Sequence, residues 1–80
     1  MTWNQEGQKL VREIRTPDFL SAHALVGRIV PVAEALGHHP DIAFGWGYVR
    51  LEVTTHDAGG LTEKDWQLAE ALDRALAPGA

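Results

Sequence analysis

Residues 34–65 read EALGHHPDIAFGWGYVRLEVTTHDAGGLTEKD, and the fold turns on how that stretch divides. Val49, Leu51 and Val53 alternate with Arg50, Glu52 and Thr54, so 48–55 reads as a strand with one face in the core and one in water. Residues 43–46 read as a second strand, with Gly45 and Gly47 marking a bulge or a close backbone approach. Gly37 is a helix stop. Thr62, with Asp65 three positions on, is a helix start of the capping-box kind, with Leu61 as its hydrophobic staple. Between these elements lie a loop at 38–42, opened by His38-His39-Pro40, and a turn at 56–60, His-Asp-Ala-Gly-Gly.

Working outward, Leu68, Ala69, Leu72, Ala75 and Leu76 recur at helical spacing after Thr62, and Pro78-Gly79 closes that helix. Upstream, Phe19, Ala22, Val26, Ile29, Val30, Ala33 and Leu36 form the stripe of a helix over 17–36. Thr16 is placed to cap it, Pro17 suits its first position, and Asp18 sits at the positive end of the dipole. Pro31 interrupts the ladder at a cost of about 3 kcal/mol in an ordinary helix, so a kink is expected there. Residues 8–15 read as a strand with Leu10 and Ile14 on one face, Arg12 between them, and Lys9, Glu13 and Arg15 on the other. Val11 is out of phase. Residues 4–7 can turn a short first strand at Trp3 back onto it. The order predicts one α+β domain over 1–80, an antiparallel sheet of three to four strands with two helices packed on one face.

Composition narrows the function. Eighty residues bury only roughly 60–65% of their unfolded surface. With no cysteine there is neither a disulfide nor a thiolate metal site, and a chain of this kind gains core by oligomerising. A formal charge of −4, with seven basic residues of which three fall in 9–15, argues against a nucleic-acid partner. No basic start or long apolar run suggests a signal peptide or a membrane span, so a cytoplasmic protein is the default expectation.

Three of the four histidines fall inside 34–65. With His23 they are the side chains that titrate near neutral pH unaided. Each could be a surface turn residue. Together, flanked by Pro40 and Gly59-Gly60, they read better as one pocket. Pro40 holds His39 extended, so the rings of His38 and His39 should diverge. Glu34, four residues before His38, could hydrogen-bond that imidazole. Asp57 could cap the turn. Asp65 could complete a helix start or orient His56, and Trp46 could stack on a flat ligand or bury. His23 and Trp66 read as packing or interface residues. Two chemistries fit: a three-imidazole zinc site, for which adjacent diverging histidines are awkward ligands, and metal-free acid–base catalysis on a small polar heterocycle.

Glu34, His38-His39-Pro40, Trp46, Thr55-His56 and Asp65, in that order, resemble the motif set of the pterin-4a-carbinolamine dehydratases, also called dimerisation cofactor of a homeodomain transcription factor. Pro17-Asp18-Phe19, Val32-Ala33-Glu34 and 55–62 are similar to the family as well, and the likeness runs from about Trp3 to Leu76. It implies loss of water from 4a-hydroxytetrahydropterin to give quinonoid dihydropterin in tetrahydrobiopterin recycling, with no metal and no bound cofactor. It implies His38 and His56 as the acid–base pair, His39 also at the reacting centre, and His39, Pro40 and Trp46 around the pterin. Glu34, Asp65 and Asp57 take supporting places, with Glu34 tuning His38 and Asp65 supporting the His56 turn. It implies a homodimer or homotetramer, and a non-catalytic interaction module on the same scaffold is the rival. Four departures stand out. The family's usual N-terminal helix is missing before Trp3, Gly47 replaces a frequent Asn, Trp46 replaces a common Tyr, and Pro31 is unusual in the first helix.

Overall fold

The computed structural model describes residues 3–77. Six elements follow the expected order: β1 (Asn4–Glu6), β2 (Lys9–Arg15), α1 (Phe19–Leu36), β3 (Asp41–Gly45), β4 (Tyr48–Val53) and α2 (Glu63–Leu76). All strand pairs are antiparallel, and the sheet order is β1-β2-β4-β3. The α+β class holds, with four strands. The first strand lies just past Trp3, and a two-residue turn, Gly7-Gln8, closes it onto β2 through the Glu6–Lys9 pair. Trp46-Gly47 makes the equivalent turn between β3 and β4, where Gly45 pairs with Tyr48. Gly47 is therefore a turn glycine, at φ +92°, rather than a bulge. A Cβ on Gly45 would fall 2.7 Å from the Tyr48 ring, so the close approach expected there is real.

Register explains both faces of the sheet. Leu10 faces Val53, Ile14 faces Val49, and Ile42 and Phe44 face Leu51 and Val49. These residues meet Ala22 and Ile29 of α1 and Leu68, Ala69 and Leu72 of α2 in one core. Arg12 shares that face, paired with Leu51. It is accommodated because its guanidinium lies 2.7 Å from Asp73 of α2, which also accepts the Trp3 indole N–H at 2.8 Å. The opposite face is charged. Glu52 meets Lys9 at 2.8 Å and Arg50 at 3.3 Å, and Arg50 reaches Glu6 and Glu13. Val11, out of phase in sequence, sits opposite Glu52 on this face and is nonetheless 3% exposed. The aliphatic stems of such long charged side chains can cover an apolar neighbour.

Helix α1 starts two residues later than expected. Asp18, not Thr16, is the cap: its carboxylate accepts the Ser21 N–H at 2.8 Å, which leaves Pro17 outside the helix. The helix continues through Pro31 to Leu36. Its stripe is only partly buried. Ala22, Ile29 and Ala33 are in the core, whereas Phe19, Val30 and Leu36 are exposed along with Leu20. Phe19 stacks on Phe44 of the edge strand at 5.5 Å, and His23, exposed on the helix, lies 6.1 Å from the same ring. With 18 residues and a mean hydropathy of 1.4, α1 is long and apolar enough to cross a membrane by length and composition. The sequence reading did not anticipate this, because its apolar residues are interrupted by His23, Arg28 and Glu34. Its Ala22–Ile29–Ala33 side is spent on the domain core. In α2, Leu68, Ala69 and Leu72 are buried as expected. The helix ends at Leu76, and Pro78-Gly79 lie outside the described residues.

Candidate active site

The end of α1 sets the first histidine. Gly37 adopts the left-handed conformation at φ +64°. Its N–H is donated to Glu34 O and the His38 N–H to Ala33 O, the double closure of a Schellman motif. That fixes His38 immediately past the helix, beside the start of α2. Its Nε2 lies 2.5 Å from Asp65 Oδ1. Asp65 is fully buried and uses its other oxygen twice, accepting the Thr62 N–H at 2.8 Å and the Thr55 hydroxyl at 2.7 Å. The Thr55 and Thr62 hydroxyls lie 2.9 Å apart. Burial pushes the Asp65 carboxyl up, but the hydrogen bonds from His38, the Thr62 N–H and Thr55 outweigh it and hold the group below the usual carboxylate range. An ionised carboxylate can only accept, so His38 donates through Nε2–H, and in the neutral ring Nδ1 carries the lone pair.

Asp65 thus does more than the capping-box spacing announced. It closes the helix start as expected, and its second oxygen holds His38 rather than His56. Glu34 also differs from expectation: its carboxylate meets His39 Nε2, not His38. The i, i+4 rule presumes a continuing helix, and Gly37 ends it, so His38 turns away and His39 returns over Glu34. That pair is exposed, at 68% and 61% of the two side chains, whereas the His38 side chain is 15% exposed.

The third histidine arrives from β4. After Val53 the chain enters a turn of 3-10 helix at His56–Ala58, closed by Gly59 at φ +73°. A Thr55–Gly60 bridge pins the turn's base. A cleft of about 280 Å3 opens between the two loops, lined by Gly37, His38, His39, Thr54, Thr55, His56, Asp57 and Lys64. The three histidines and Asp57 therefore share one cleft, with Asp65 beneath it. Lys64 and Thr55 were not singled out from sequence for a role there. Thr55 had a readable signal, since it precedes His56 and lies seven residues before the Thr62 cap. Pro40 leads from His39 into β3 without lining the cleft.

Trp46 is not brought to it. β3 and β4 pair from Asp41–Glu52 at the histidine end to Gly45–Tyr48 at the other. Trp46 lies in the far turn, beyond about 13 Å of strand at about 3.3 Å per residue, and is 74% exposed. The expected aromatic wall is therefore absent from the cleft within this chain, because the hairpin carries Trp46 away from the histidines. Among the described residues, no three His, Asp or Glu side chains converge as one metal-ligand set.

The family model for pterin 4 alpha carbinolamine dehydratase matches residues 1–75. The chain belongs to that family. A provisionally named pterin-4-alpha-carbinolamine dehydratase of Chloroflexus aurantiacus is 50% identical over 74 residues, covering 92% of this chain and 80% of the relative. One of Roseiflexus sp. is 46% identical with the same coverage. Among solved structures, a transcriptional coactivator/pterin dehydratase from Brucella melitensis superposes with a TM-score of 0.85 at 24% identity, over 95% of this chain and 83% of that one. A pterin dehydratase-like protein identified as a RuBisCO assembly factor in the alpha-carboxysome gives 0.76 at 20% identity, over 94% and 89%. At those identities the two structures speak for the fold alone.

Proposed function

We infer that this protein is a 4a-hydroxytetrahydropterin dehydratase working by histidine acid–base catalysis. The observation that carries the reading is His38, fastened through Nε2 to a buried carboxylate in a cleft it shares with His39 and His56, in a chain of the dehydratase family. In the reaction the C4a–O bond breaks, the hydroxyl leaves as water after receiving a proton, and N5 loses its proton as the C4a=N5 bond forms. His38 and His56 handle these two protons, a contribution of typically about 10²–10⁴-fold. The Asp65 hydrogen bond suits His38 to this work, since it fixes the ring and leaves Nδ1 as the exchanging nitrogen. His39, steadied by Glu34 and held extended by Pro40, shapes the substrate's edge, and Asp57 borders the turn. No bound cofactor or metal takes part in this scheme. His38→Ala and His56→Ala should each lower kcat/KM for a synthetic carbinolamine by about 10²–10⁴-fold; variants matching wild type would remove these histidines from the chemistry.

Self-association belongs to the same reading. Leu20 at 78% exposure, with Phe19, Val30, Leu36 and Trp66 each between 42% and 50%, leaves much apolar surface in water on so small a chain, and a homodimer or homotetramer would cover part of it. A second reading, a non-catalytic interaction module, draws on the assembly factor that shares this fold. It gives no reason for three histidines to gather on one cleft over a buried carboxylate, so we favour the enzyme, acting in the cytoplasm on a small-molecule pterin.

A further inference from the structure

His56 and Thr54 line a second concavity as well as the histidine cleft. On its far side stands the β1–β2 hairpin, with Glu6, Gln8 and Lys9, and Gly60 lies alongside. Its volume is about 380 Å3. Water's share of liquid volume is about 30 Å3, so the groove has room for a small polar substituent and several waters. Four contacts show that it is built. The Thr54 hydroxyl donates to Gln8 O at 2.6 Å and ties the hairpin to the base of the histidine turn. Gly60 is buried, and a Cβ there would fall 2.3 Å from Gln8 Oε1. The Gln8 side chain therefore lies over a space only glycine leaves. The charged neighbours are already engaged, Lys9 with Glu52 at 2.8 Å and Glu6 with Arg50 at 3.6 Å. Among the described residues, the Gln8 carboxamide makes no hydrogen bond to another side chain or to the backbone, so it keeps both a donor and an acceptor for a ligand.

From this geometry we propose that the groove beyond His56 is a specificity subsite that receives the hydroxylated side chain at C6 of the pterin, with Gln8 as its hydrogen-bonding residue. The proposal rests on the dehydratase reading above. Apart from His56 at its border with the histidine cleft, the groove is lined by polar side chains and glycines, which suits a polyol and not the flat ring. C6 adjoins N5, so a ring with N5 beside His56 has its C6 substituent within reach of the groove that His56 and Thr54 share with the histidine cleft.

The test compares two synthetic 4a-carbinolamines, one with a 1,2-dihydroxypropyl group at C6 and one with a methyl group. Wild type should favour the diol, and Gln8→Ala should lower the diol-to-methyl ratio of kcat/KM by roughly 2–10-fold, the scale of one hydrogen bond, mainly through KM. Gly60→Ala, which displaces the Gln8 carboxamide by another route, should lower the ratio in the same direction. Damage to the fold alone would depress both substrates together, so an unchanged ratio in both variants overturns the subsite, as does a wild type that turns over both substrates without preference. A wild type that dehydrates neither overturns the dehydratase reading, and the subsite with it.

Discussion

Asp65 is the residue on which the site depends most. It is fully buried and receives three hydrogen bonds, from His38, Thr55 and the Thr62 N–H. Asp65→Asn keeps the shape but replaces an acceptor oxygen with a donor, which leaves buried donors facing each other. It should cost about 1–3 kcal/mol of stability by denaturant unfolding and, by loosening His38, about 10²-fold in kcat. A variant as stable and as active as wild type would contradict this arrangement. The carboxyl's lowered pKa gives the effect a pH signature. A group ionising more readily folded than unfolded stabilises the fold fully above its unfolded value, about 3.9 for Asp, and that contribution is lost as pH falls through the lower folded value. Asp18, held down by the Ser21 N–H, and Glu52, held down by Lys9, act in the same direction. Wild-type stability should therefore fall as pH drops from 5 towards 3, and the fall should be shallower in Asp65→Asn; parallel profiles would contradict it. Glu34, on an exposed pair, should matter less. Exposed ion pairs are worth about 0.2–1 kcal/mol, so Glu34→Gln should change kcat/KM by about 5-fold or less. This hierarchy was only half legible in the sequence. The spacing of Thr62 and Asp65 announced a cap, but His38 reaches Asp65 across 27 positions, which no local pattern records. Glu34 was matched to His38 because helical spacing was carried one residue past its stop.

Elements end where particular backbone conformations end them, and the site sits at those ends. Gly37, at φ +64°, has nothing within 4 Å of a would-be Cβ, so the demand there is conformational rather than steric. Gly37→Ala should cost about 1–2 kcal/mol and displace His38, lowering thermal stability and activity together; a neutral substitution would contradict the cap's role. Pro31 lies inside α1 and is exposed. Replacing it with Ala restores an N–H to the ladder and removes ring crowding worth about 3 kcal/mol in an ordinary helix, against a loss of about 0.4–1 kcal/mol from a freer unfolded chain. The net should be stabilising, read as a higher unfolding midpoint, and a lower one would show that the proline is accommodated at no cost. Periodicity located β2, β4 and both helices, because alternation in 48–53 and the stripes of both helices are local signals; β1 falls on residues 4–6, read as part of a turn, and β3 begins at Asp41, inside the expected loop. It misjudged which α1 residues are buried. A stripe marks an apolar side, and only tertiary packing decides that Ile29 is enclosed while Val30 is not. Trp46 failed for a related reason: nearness in sequence to the histidines hid the hairpin's direction.

At the scale of the whole molecule, one sheet face carries the core and the other an ion-pair lattice, and both helices cover the first. Arg12 shows what such a molecule keeps out of its sequence, since its partner Asp73 lies 61 positions away. The apolar side chains left exposed on α1, with Trp66 on α2, predict self-association. Sedimentation at micromolar concentration should find a dimer or larger species, and a strictly monomeric protein would contradict that part of the account. Family membership was legible because the histidine, threonine and acidic positions keep their order along the chain, and the fold then gathers most of them around one cleft. The central claim is that this cleft dehydrates a pterin carbinolamine, and its most direct test is the rate at which a synthetic 4a-hydroxytetrahydropterin loses water with purified wild-type protein present. The account predicts a saturable rate far above the spontaneous one, reduced by about 10²–10⁴-fold in His38→Ala; a rate equal to the spontaneous one at every protein concentration would contradict it.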